Sequence, residues 1–121
     1  MPSPRPGQSA RGVGSGRRLT SVLEFLGRRW MLRVLWELGD DSLTFRVLRA
    51  RCDGISPSVL NRRISELREA GIVEPRSTGG YRLTEEGRSL LRALRSIGHW
   101  AKRRAAPIRR LRRVHSQFRA R

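Results

Sequence analysis

Residues 56–84 read SPSVLNRRISELREAGIVEPRSTGGYRLT. Ser56-Pro57 has the form of a helix N-cap followed by proline at the first helical position, where a missing N–H is no loss. Behind it Leu60, Ile64 and Leu67 recur at i, i+4 and i+7, which predicts one buried helical stripe ending at Gly71. Ile72-Val73-Glu74-Pro75-Arg76 then has the apolar, β-branched start of a strand. Tyr81-Arg82-Leu83-Thr84 is a second short strand, and Ser77-Thr78-Gly79-Gly80 between them is turn chemistry. The stretch predicts a capped helix followed at once by a β-hairpin.

On the N-terminal side, Thr44 is a candidate N-cap for a helix of about two turns carrying Phe45, Val47, Leu48 and Cys52, closed by Asp53-Gly54. A short helix, a glycine turn and a second capped helix form a helix-turn-helix candidate, although other helix pairs share that spacing. The hairpin directly after it supplies the wing of a winged-helix domain. Further upstream, Val22, Leu23, Phe25 and Leu26 precede a helix stop at Gly27. Trp30, Met31, Val34, Leu35 and Leu38 then repeat at three- and four-residue spacing as far as Gly39, before the turn residues Asp40, Asp41 and Ser42. Both segments are expected to be core material.

On the C-terminal side, Thr84 caps a new helix with Glu85 and Glu86 at its positive end. Leu90, Leu91, Leu94, Ile97, Gly98 and Ala101 share one stripe of it, with Arg88, Arg92 and Arg95 off the stripe. Dimerisation is the expected use, and packing on its own domain is the alternative. Pro107 is expected to end this helix. Ile108, Leu111, Val114 and Phe118 suggest a last basic amphipathic helix, for which a membrane surface is the rival partner. The fold class expected is mainly α with a small β-hairpin: a winged helix-turn-helix with dimerising terminal helices.

Length and charge bound the function. The chain has 121 residues, 27 Lys+Arg against 10 Asp+Glu, and a net charge of +17. Residues 1–18 contribute +4, residues 102–121 contribute +9, and the 83 residues between contribute only +4. One domain is expected at 19–106, between a disordered basic tail at 1–18, rich in Pro and Gly, and a basic tail at 107–121 that has helical potential. A single cysteine closes no intrachain disulfide, and Cys52 with His99 and His115 cannot supply the four ligands of a structural zinc site. No apolar run reaches the roughly 20 residues of a membrane span, and no signal-peptide core is apparent. No Walker loop, dinucleotide glycine fingerprint or convergent acid–base pair is visible. A small, cytoplasmic, non-enzymatic protein without cofactor or metal is expected, with nucleic acid as the first partner.

On a helical wheel with Leu60, Ile64 and Leu67 inward, Ser58, Arg62 and Ser65 lie opposite and Asn61 on a flank. The N-terminal half of a recognition helix is what reaches base edges in the major groove. Ser58, Asn61, Arg62 and Ser65 are therefore the expected base readers. Arginine bonds bidentately to guanine and asparagine to adenine, with a phosphate contact the alternative for Arg62. Arg63, near the buried stripe, is expected to pair with a carboxylate. Thr44, Arg46, Arg49, Arg76 and Arg82 are the expected backbone contacts, which fix register without reading sequence. A dimer through the 90–101 stripe predicts a near-palindromic operator with half-sites about 10 bp apart, or a multiple of that.

The order of motifs resembles the HxlR-type winged-helix transcriptional regulators. The resemblance rests on Leu26-Gly27-Arg28-Arg29-Trp30, Leu43-Thr44-Phe45, Gly54-Ile55-Ser56-Pro57-Ser58-Val59-Leu60, Leu67–Glu74, Tyr81–Arg88 and Trp100, and it covers about residues 20–105. Its most specific pieces are the Gly-Ile-Ser-Pro lead into the second helix and the Leu-Thr-x-x-Gly after the wing. It implies a bacterial or archaeal homodimeric protein acting on double-stranded DNA at promoters. Many members carry a sensing cysteine just ahead of the first helix, and here that region has none. Cys52 falls at a position usually apolar in the family and reads as a small buried side chain, with a sensor role the alternative. The wing is also shorter than usual. Outside the resemblance, arginine tails that bind DNA or RNA without sequence preference are the competing function, and no effector is evident.

Overall fold

Thr44, Ser56 and Thr84 each accept a hydrogen bond from a backbone N–H three residues ahead, at 3.1–3.2 Å, and a helix starts directly after each. In the computed structural model, which describes residues 15–104, the elements are α1 (Ser15–Leu26), α2 (Met31–Leu38), α3 (Phe45–Cys52), α4 (Pro57–Glu69), β1 (Val73–Pro75), β2 (Tyr81–Leu83) and α5 (Glu85–Arg103). The chain is mainly helical with one two-stranded antiparallel hairpin, as its sequence patterning predicts. Two units divide it, Met1–Leu32 and Arg33–Arg121.

In the first unit α1 begins at Ser15, four residues inside the segment expected to be tail. It ends where Gly27 N–H donates to the Leu23 carbonyl (2.8 Å). Leu26 is buried, but Leu19, Val22 and Leu23 stand exposed, Leu23 by 55%. The expectation that Val22 and Leu23 are core is corrected: of the apolar cluster at 22–26 only Leu26 is buried and Phe25 half-buried, and Val22 and Leu23 stand in water. Trp30 follows in the left-handed region (φ 74°) and separates α1 from α2.

The core of the second unit is built on the predicted stripes, with Ile55 added and Val47 left exposed. Val34, Leu35 and Leu38 of α2, Leu48 and Cys52 of α3, Ile55, and Leu60, Ile64 and Leu67 of α4 are all buried, joined by Val73, Leu83 and Leu91. Burying side chains of this size stabilises by about 1.5–3 kcal/mol each. Cys52 is wholly buried. Arg33 and Glu37 are buried as well, with Arg33 Nε 2.9 Å from Glu37 Oε2 and an Arg33 N–H on the Arg51 carbonyl (3.0 Å).

The hairpin pairs Val73 with Leu83, Glu74 with Arg82 and Pro75 with Tyr81. Leu43 adds a bridge outside the predicted elements, exchanging backbone bonds with Tyr81 at 2.9 and 2.7 Å. That bridge requires Gly80 (φ +88°), where a Cβ would stand 2.7 Å from the Leu43 carbonyl oxygen. Gly87 has the same role at the start of α5, since a Cβ there would run into the Ile72 carbonyl oxygen. Thr84 Oγ1 meanwhile donates to the Gly71 carbonyl (2.6 Å). The Leu-Thr-x-x-Gly motif thus locks the wing to α5. That helix stops at Arg103, short of the Pro107 end expected, and Arg104 is already extended. The readings of the 107–121 tail lie outside the described residues.

Candidate nucleic-acid interface

The serine cap and Pro57 fix where α4 begins, and Leu60, Ile64 and Leu67 fix which side it buries. The remaining side presents Ser58, Asn61, Arg62 and Ser65, all exposed. The four expected base readers therefore share one accessible face. Ser58 Oγ lies 3.4 Å from the capping Ser56 Oγ. Arg63, half-buried, bonds Glu66 Oε1 at 2.5 Å, the predicted carboxylate pairing. Arg62 has no hydrogen-bond or ion-pair partner among the described residues, so its guanidinium is available to a ligand.

The expected backbone contacts fall into two groups. Thr44 and Arg46 are exposed, and Arg46 and Arg76 lack a side-chain partner among the described residues. Arg49 and Arg82 are engaged. Arg49 Nε donates to the Ile55 carbonyl (3.1 Å), tying α3 to the turn before α4. Arg82 Nε sits 2.7 Å from Glu74 Oε2 across the hairpin. Beside the wing a shallow depression of about 130 Å³ is lined by Arg76, Arg82 and Arg88 together with Gly39–Ser42. Its acids are occupied, Asp40 by Arg95 (3.5 Å) and Asp41 by Arg51 (3.2 Å).

The predicted dimerisation stripe divides along its length. Leu91 is 1% exposed and packs in the chain's own core, so it offers no surface to a second copy and is corrected from an interface residue to a core residue. Leu90, Leu94 and Gly98 are half-buried, and a Cβ on Gly98 would lie 3.5 Å from the Trp36 ring. Ile97 is 57% exposed, and Ala101 is exposed too. Trp100, 44% exposed and outside the predicted set, carries the Arg104 guanidinium over its ring at 5.0 Å. His99 is exposed. Among the described residues no three His, Cys, Asp or Glu side chains gather as a metal site, and no helix is long and apolar enough to cross a membrane.

The buried Arg33–Glu37 pair and the Glu74–Arg82 pair escaped the sequence reading. The first has a visible signal, an i, i+4 Arg–Glu spacing inside an apolar helix. The second follows from the hairpin register once the turn is placed at 76–80.

The profile of a family described as HxlR-like helix-turn-helix matches residues 25–109. This chain belongs to that family. The HxlR-like chain is 30% identical over 107 residues to an uncharacterized HTH-type transcriptional regulator of Methanothermobacter thermautotrophicus, covering 79% of this chain and 80% of the relative. Among solved structures it is similar to quinone-bound YodB from Bacillus subtilis, with 29% identity, a TM-score of 0.67, and coverage of 72% of this chain and 97% of that one. It is also similar to a possible HxlR family transcriptional factor from Thermoplasma volcanium, with 36% identity, a TM-score of 0.53, and coverage of 67% and 82%. The HxlR-like chain is thus a DNA-binding transcriptional regulator with a winged helix-turn-helix fold.

Proposed function

We propose that this regulator binds duplex DNA sequence-specifically as a homodimer on a near-palindromic operator, in the cytoplasm and without catalytic activity. The observation that carries the reading is the exposed face of α4. There Asn61 and Arg62, the latter without a partner among the described residues, stand beside Ser58 and Ser65 on a helix capped and buried along its other side. Asn61 and Arg62 are assigned to base edges in the major groove, with Ser58 and Ser65 beside them. Arg46 and Arg76 are assigned to phosphates, with Arg49 and Arg82 supporting them after partial release from their internal partners. Thr44 offers the first N–H groups of α3 to the backbone.

For the dimer, Leu90, Leu94, Ile97, Gly98 and Ala101 remain the proposed surface, with Trp100 added. Ile97 and Trp100 leave large apolar area in water within one copy, which supports burial against a second.

One observation favours a second reading. Thirteen of the 17 net positive charges lie in residues 1–18 and 102–121, a distribution suited to sequence-independent phosphate attraction. Selection of binding sites from a random duplex library separates the two. The regulator reading expects a two-fold motif that Arg62→Ala relaxes. Enrichment of no motif, with binding that falls steeply with salt, would overturn it in favour of a general nucleic-acid binder.

A further inference from the structure

Of the charged residues in the wing, Arg76 and Arg82 suit a polyanion and Glu74 does not. It faces Arg82 directly across the hairpin, 2.7 Å from the guanidinium, and both side chains are close to half exposed (42% and 45%). The hairpin does not need this pair. Its strands are held by the ladder, by the Leu43 bridge and by buried Val73 and Leu83, and exposed ion pairs contribute little stability. Around the wing depression, Arg88 donates to the Leu83 carbonyl (3.0 Å) and Arg76 is free of partners among the described residues. Among the described residues, Arg82 alone of the three is neutralised by a carboxylate.

We propose that Glu74 sets the affinity of the wing for DNA: it holds Arg82 in the free protein and competes with a backbone phosphate for it. The inference rests on the DNA-binding reading above. A phosphate that takes Arg82 must displace the carboxylate or sit beside its negative charge, and either reduces binding. The effect carries no sequence information, because phosphates carry none. In a chain of net charge +17, the device limits attachment to arbitrary duplex.

The test uses the full-length protein, mixed-sequence duplex and a salt series, with Glu74→Gln, Arg82→Gln and the double variant. Glu24→Gln serves as a control that changes net charge equally on α1. Thermal unfolding checks that each variant is folded. Glu74→Gln is expected to tighten binding about three- to tenfold at low salt. It is also expected to steepen the log–log salt slope by about 0.9, the signature of one more phosphate neutralised. Arg82→Gln should weaken binding, and adding Glu74→Gln to it should restore little. Equal or weaker binding by Glu74→Gln overturns the inference while wild-type binding leaves the DNA reading intact. So does full tightening in the Arg82→Gln background or in Glu24→Gln. A folded wild type that binds no duplex overturns both.

Discussion

Arginines of the winged domain differ in what already holds them, and that difference orders their expected effects. Arg62, Arg46 and Arg76 have no internal partner among the described residues, whereas Arg63 is bound to Glu66, Arg49 to the Ile55 carbonyl and Arg82 to Glu74. Arg62→Ala is expected to cost about 1–3 kcal/mol on the preferred site and to relax one base position. Arg46→Ala should instead weaken all sequences alike and reduce the salt slope by about 1, measured by titration at several salt concentrations. Opposite patterns would exchange their roles. Periodicity predicted which of these side chains face outward, because Leu60, Ile64 and Leu67 fix the phase of the helix. It did not reveal which are already bonded, since a partner such as the Ile55 carbonyl depends on how the turn closes.

At the scale of elements, three caps and two glycines place the wing. Gly87→Ala is expected to destabilise by about 1–3 kcal/mol in chemical denaturation, because its methyl group would meet the Ile72 carbonyl and push α5 from the hairpin. An unchanged midpoint would mean that this approach is not tight. The buried Arg33–Glu37 pair gives a second, sharper contrast. Arg33→Met alone leaves a buried carboxylate without this partner and should cost about 3–5 kcal/mol, while Arg33→Met with Glu37→Met should cost clearly less. Hydroxyl caps, Pro57 and the turn glycines made these elements legible in the sequence. The Leu43–Tyr81 bridge was not, because one paired residue has no periodicity. The reach of α1 back to Ser15 was also missed, since Gly14 and Gly16 read as tail when the helical side chains after them are polar.

At the scale of the whole molecule, a nearly charge-balanced centre lies between two arginine-rich sequence ends, and the proposed mode of binding needs two copies on DNA. Ile97→Glu with Trp100→Glu is expected to give a monomer by light scattering and to lose two-fold site preference, because both apolar side chains stand in water within one copy. Retained dimerisation would move the interface elsewhere, toward the exposed Leu19, Val22 and Leu23 of α1. Which part of the α5 stripe is free could not be read from spacing alone, because Leu91 and Ile97 look equivalent until the core claims one of them. The most direct measurement of the central claim is site selection from a random duplex library at about 150 mM salt, with full-length wild type beside Arg62→Ala. One near-palindromic motif is expected for the wild type, and a loss of preference at symmetric positions in the variant. The same motif-free, salt-sensitive binding from both proteins would contradict it.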